Sequence, residues 1–139
     1  MAKIILLNGT SSSGKSSIAN LLHKSLIDSP YLKLEIDTFL NMLPLENFAS
    51  QEKLISAIPP LVFGFHSSVK NFAQLGMNCI VDHVLQEPGW FEDFERKTKE
   101  LDVIIVKVFC PLDVLEKREK QRGDREIGLA KSQFDKVHT

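Results

Sequence analysis

The run Gly9-Thr10-Ser11-Ser12-Ser13-Gly14-Lys15-Ser16 constrains this chain more than any other feature. It satisfies the phosphate-loop pattern G-x-x-x-x-G-K-[ST] without a gap. Before it, Lys3-Ile4-Ile5-Leu6-Leu7-Asn8 reads as a short buried strand. After it, Ile18, Leu21, Leu22 and Leu26 recur at helical spacing until Pro30 ends the segment. A strand, a glycine-rich turn and a helix N-terminus aim backbone N–H groups at one point, where the helix dipole favours an anion. In such a loop Lys15 reaches β- and γ-phosphate oxygens and Ser16 offers a hydroxyl to Mg2+. The expected contacts to a nucleoside triphosphate are therefore Gly9, Thr10, Ser11, Ser12, Ser13, Gly14, Lys15, Ser16 and Ser17. A Ser/Gly linker is set aside, because linkers do not join a buried strand to an amphipathic helix.

Further along, the pattern alternates between strand and helix. Leu32-Lys33-Leu34-Glu35-Ile36-Asp37 alternates apolar and polar residues, as a strand near a sheet edge does. Thr38 to Leu43 reads as a helical turn stopped by Pro44, and Phe48 to Ile58 as a weak helix halted by Pro59-Pro60. A helix over Phe65 to Leu75 ends at Gly76, and Asn78 to Asp82 forms a third strand. Pro88 opens a helix through about Glu100, whose Trp90, Phe91 and Phe94 read as core packing. Val103 to Phe109 is apolar except for Lys107, the mark of a central parallel strand covered on both faces. Pro111 starts a helix to about Gln121, Arg122-Gly123-Asp124-Arg125 breaks it, and one more helix follows from Ile127. The expectation is an α/β fold with a parallel sheet and helices on both faces, built as one domain over residues 1–139.

The bulk properties narrow the partners. The length of 139 residues holds one core and no second. A net charge of −1 supplies no basic field for nucleic acid. No apolar run is long enough to span a bilayer, and Cys79 and Cys110 lack metal or redox spacing, so a reduced cytoplasmic setting is expected.

Taken together, these segments resemble the chloramphenicol phosphotransferase family over nearly the whole chain. The resemblance is carried by Leu6 through Ser16, Ile36-Asp37-Thr38 with Met42-Leu43-Pro44, and Cys79-Ile80-Val81-Asp82. Leu101-Asp102-Val103 and the segment Arg118 to Lys131, with Arg122-Gly123-Asp124-Arg125 in its middle, complete it. It implies a P-loop nucleotide-kinase fold of three layers and transfer of the γ-phosphate of ATP, with Mg2+, to a hydroxyl of a small molecule. Family members continue past the position of His138 into a further strand and a closing helix. Without them Val103 to Phe109 is left as an open apolar edge, available to pair with a second copy.

The resemblance also distributes roles. Asp37 would position and deprotonate the acceptor hydroxyl, against the alternative that it caps the turn after it. Asp82 resembles a Walker-B carboxylate and would hold Mg2+ beside Ser16, while its neighbour His83 reads as satisfied locally. Arg122 and Arg125 would clamp phosphates from a lid around residues 118–127, with Arg118 on the adenine or α/β-phosphate side. The other reading of these arginines is a surface pattern of ion pairs with Glu116, Glu119, Asp124 and Glu126. Pro59 to Phe65 is expected to cover the acceptor. Two alternatives stand beside the phosphotransferase: another small-metabolite kinase of the same fold, acting on a nucleoside or sugar-like acceptor, and a nucleotide-binding protein without turnover.

Overall fold

The computed structural model describes residues 2–10, 13–44, 51–122 and 133. In chain order the elements are β1 (Lys3–Gly9), α1 (Lys15–Ser25), β2 (Tyr31–Glu35), α2 (Ile36–Leu40) and α3 (Gln51–Gln74). They continue with β3 (Asn78–His83), α4 (Pro88–Lys97), β4 (Asp102–Val108) and α5 (Leu112–Arg122). The four strands are all parallel, in the order β2-β3-β1-β4.

Side chains alternate across β1, and each face has its own cover. Ile4 and Leu6 join Val81, Leu34, Val62, Phe65, Val69 and Phe94 in the larger core, between the sheet and α3 with α4. Leu7 joins Ile80, Val108 and Ala19 of α1 in the smaller one. The three layers expected from the sequence are thus present.

The register decides what stands at the carboxyl end of the sheet. Leu7 pairs with Asp82 and Asn8 with His83, while Glu35 of β2 pairs with Asp82 from the other side. The ends of β1, β3 and β2 therefore lie side by side, and the segments that follow them share one rim, where open α/β sheets bind ligands.

Three boundaries differ from expectation. The second strand stops at Glu35, and Asp37 lies in the first turn of α2, two residues past the helix N-cap Glu35. Ile36 is buried in the same core as Leu34, as the alternation expects, but from Ile36 onward the backbone is helical. Pro59 and Pro60 do not halt a helix; both lie inside the 24-residue α3. Each lacks the N–H that would bond back four residues, yet the helix persists. Its following turns bury Val62, Phe65, His66, Val69 and Ala73 on one stripe, and that packing holds the helix through the prolines. Val62 and Phe65 of the apolar run from Pro59 to Phe65 are thereby core residues, while Phe63 of the same run is 37% exposed. Finally, β4 is not the central strand its composition suggests but, among the described residues, the open apolar edge that the resemblance implies: it pairs there with β1 alone, and Ile104 and Ile105 are 46% and 45% exposed.

Candidate active site

The loop leaves β1 where no side chain fits. A Cβ on Gly9 would stand 2.7 Å from the Val108 carbonyl oxygen and 2.9 Å from Oγ of Ser13. Glycine is therefore required for close packing of the loop's root against β4. Gly14 has φ 96° and ψ 4°, the left-handed conformation, and serves as N-cap of α1. Among the described residues no side chain caps that helix, and no acidic residue stands in its first turn, which is Lys15-Ser16-Ser17. Its first N–H groups thus remain available to an anion. Thr10 and Ser13 are buried, and Oγ of Ser13 has no hydrogen-bond partner among the described residues. A buried hydroxyl is costly to leave unpaired. An orphan hydroxyl beside free helix-terminal donors matches the oxygens of a phosphate group, so the residues present fit a nucleotide.

Lys15, Ser16 and Asp82 come together at the mouth of this loop. Lys15 Nζ forms a buried ion pair with Oδ1 of Asp82. Ser16 Oγ donates to Oδ2 of Asp82 at 3.1 Å. One carboxylate at the end of β3 thus engages both reactive groups at the start of α1. A hydroxyl and a carboxylate on adjacent elements also form the sparse protein donor set that Mg2+ accepts when phosphates and water complete its shell.

Asp37 lies partly buried at the start of α2, next to the ends of β2 and β3. Its backbone carbonyl accepts from Asn41, and the N-cap of α2 is Glu35, so its position in the helix is not that of a cap. Arg118 of α5 stands over the loop: a Cβ on Gly14 would lie 3.5 Å from its Nη1. Ser17 is exposed on the first turn of α1. Ser11, Ser12 and Arg125 lie outside the described residues, as do the side chain of Arg122, the rest of the lid beyond it and the helix expected from Ile127.

Two features behind the rim were not legible as site residues. Asn8, buried just before Gly9, accepts the Leu85 N–H on Oδ1 at 3.0 Å and ties the end of β1 to the segment after β3. His83, His66 and Asp93 form a buried chain, with His83 Nε2 2.8 Å from His66 Nε2 and His66 Nδ1 2.7 Å from Asp93. Burial holds both imidazoles below the ordinary histidine range, with His66 and Lys15 adding to the effect at His83. At His66 the Asp93 carboxylate pulls the other way without winning. Burial would raise the Asp93 carboxyl, but hydrogen bonds from Lys97 and His66 outweigh it and leave it below its usual value. The available signal was His66 itself, in register with Val62, Phe65 and Val69 on the buried stripe of α3. Cys79 and Cys110 are free and buried, and burial pushes the Cys79 thiol up to about 11.

The chain resembles known proteins over almost all of its length. The model of the chloramphenicol phosphotransferase-like protein family matches residues 2–139. A protein of Mycobacterium tuberculosis (strain ATCC 25618 / H37Rv), provisionally named an O-phosphotransferase, is 28% identical over 158 aligned residues, covering 98% of this chain and 70% of its own length. Among solved structures, a chain of the Pnkp1/Rnl/Hen1 RNA repair complex superposes with a TM-score of 0.71 at 17% identity. That match covers 98% of this chain and 44% of the other. The APS kinase CysC of Mycobacterium tuberculosis, solved with AMPPNP and APS, gives 0.68 at 20% identity, over 90% of this chain and 76% of its own. The fold is that of the P-loop kinases. No described helix is long and apolar enough to cross a membrane.

Proposed function

This chain belongs to the chloramphenicol phosphotransferase-like family, and from that premise we propose that it is an ATP- and Mg2+-dependent O-phosphotransferase acting on a hydroxyl of a small molecule. The observation that carries the reading is the convergence of Lys15 and Ser16 on Asp82, with Asp37 beside the next strand end. When bound, ATP supplies the transferable phosphoryl group and Mg2+ neutralises charge on it.

The chain's own residues do the rest. Gly9, Thr10, Ser13, Gly14 and Ser17 present backbone and hydroxyl donors, and Lys15 brings a positive charge to the β- and γ-phosphate position. Ser16 and Asp82 would hold the metal. Arg118, already over Gly14, lies on the nucleotide side. Asp37 orients the acceptor hydroxyl and takes its proton, the one piece of acid–base chemistry that phosphoryl transfer asks of the protein. Arg122 and Arg125 clamp the transferring group in this reading, an assignment that rests on sequence alone.

The acceptor is expected to be uncharged where it enters. Between Pro44 and Gly76 the chain has Lys53 and Lys70 but no arginine, and its one histidine there, His66, is wholly buried. A phosphate-bearing acceptor would need a bidentate cation that this region does not offer.

The test is ADP release from ATP and Mg2+ with a panel of hydroxyl acceptors, including chloramphenicol, sugars and nucleosides. Asp37→Ala should lower turnover by about a hundredfold or more, the scale of a lost general base, while ATP affinity is kept. Equal loss of turnover and ATP affinity would instead make Asp37 a structural residue. ATP binding with no turnover on any acceptor would favour a nucleotide-binding protein without catalysis.

A further inference from the structure

Asp82 and His83 are consecutive on β3, so their side chains leave opposite faces of the sheet. Asp82 meets the loop; His83 enters the layer beneath, where it is fully buried against Phe65, His66 and Trp90. The hydrogen bonds there fix the protons. The Val84 N–H donates to His83 Nδ1 at 2.8 Å, so His83 carries its proton on Nε2. That proton is donated to His66 Nε2, and His66 therefore keeps its own on Nδ1 and donates it to Oδ2 of Asp93. Arg96 and Lys97 donate to the same carboxylate at 2.7 and 2.9 Å. With Asn8 holding the Leu85 N–H, three consecutive residues after Asp82 are each tied by a side chain.

Apolar side chains of similar size would fill this space without the cost of burying polar groups. What a satisfied polar chain adds is direction: each imidazole has one orientation. We propose that His66 and Asp93 are positioning residues for the phosphoryl-transfer site, acting through His83 to hold the carboxyl end of β3 so that Asp82 stands over Lys15 and Ser16. The same anchor braces α2. Phe65 packs edge-on against His83 at 5.3 Å and against Phe39 of α2 at 4.8 Å, and α2 carries Asp37. The inference rests on the phosphotransferase reading.

Calorimetric titration of ATP into the 139-residue chain, with Mg2+ and with EDTA, separates the two. His66→Phe and Asp93→Leu should reduce the Mg2+-dependent gain in ATP affinity by about tenfold, as loss of a partner behind a metal ligand does. Affinity in EDTA should not fall. Asp93→Asn still accepts from His66 Nδ1 and should keep most of the gain. Full gain in Asp93→Leu overturns the inference, as does equal loss in the Asn and Leu substitutions, which would point to the ion pairs with Arg96 and Lys97 instead. If His66→Phe does not fold, the Asp93 pair decides. In the wild type, imidazole 15N shifts should show His83 protonated on Nε2 and His66 on Nδ1; the reverse assignment also overturns it. A wild type whose ATP affinity ignores Mg2+ sinks the phosphotransferase reading and this inference with it, whereas a strong wild-type gain that the variants share sinks this inference alone.

Discussion

Asp82 sits between two duties, because the carboxylate that would share Mg2+ with Ser16 also holds the ammonium of Lys15. A nucleotide entering without metal has to draw Lys15 from a buried partner. Asp82→Asn is therefore expected to tighten ATP binding in EDTA by roughly fivefold or more, on the scale of 1 kcal/mol or above for a charge-assisted hydrogen bond. The Mg2+-dependent gain should vanish in the same protein. Weaker binding in EDTA would show that the ion pair shapes the loop rather than competing for it. Lys15 and Ser16 were legible from the motif alone, and Asp82 from its place at a strand end. The resemblance already put Asp82 beside Ser16; that Lys15 pairs with the same carboxylate was not legible, because it depends on Leu7 pairing with Asp82 rather than with a neighbour. Arg118, which the resemblance puts on the nucleotide side, stands close to Gly14 of the loop.

Among the elements, α3 shows how packing overrides a local signal. Two prolines argue for a break, and the stripe Val62, Phe65, His66, Val69 and Ala73 argues for a helix; the stripe prevails because it is buried against the sheet. That stripe carries a titratable group. His66 faces His83 of β3 and Asp93 of α4, with Lys97 of α4 nearby. Burial holds its imidazole below the ordinary 6.5, more strongly than Asp93 raises it. The unfolded chain then binds a proton that the folded one refuses, in the window from 6.5 down to the lowered native value. Stability is present in full above 6.5 and declines as pH falls through that window. Scanning calorimetry at pH 7.5 and 5.5 should give a lower Tm at 5.5, with a smaller difference in His66→Phe. A Tm that rises on acidification would refute the neutral pair. The boundary between β2 and α2 has a similar lesson. Alternation ran through Asp37, and Ile36 is buried beside Leu34 as that pattern expects, yet the strand ends at Glu35 and Asp37 lies on a helix.

Across the whole molecule the two ends of the sheet are unlike. β2 ends it with a mixed, half-buried surface, whereas β4 ends it, among the described residues, with Ile104 and Ile105 exposed and Phe109 just beyond at 65% exposure. An apolar edge strand pairs readily with another strand. The chain is expected to self-associate through β4, with sedimentation coefficients that rise with concentration, and Ile105→Lys should suppress the rise. A monomer at every concentration would leave this edge without a second copy. The apolar run of β4 read as a central strand because composition records what a strand prefers to touch, not which neighbours it has.

By itself the sequence made the loop, the alternation of strands and helices and the family legible, since each is read from short motifs whose residues are close together in the chain. Local steric and hydrogen-bonding rules suffice for a glycine-rich turn between a strand and a helix. Only the tertiary structure decided that Lys15 pairs with Asp82, that Asn8 ties two strand ends, and that His66, His83 and Asp93 form one chain. Those relations join residues tens of positions apart, and they are set by strand order, by register and by which face of α3 the sheet buries. No periodicity along the chain encodes them.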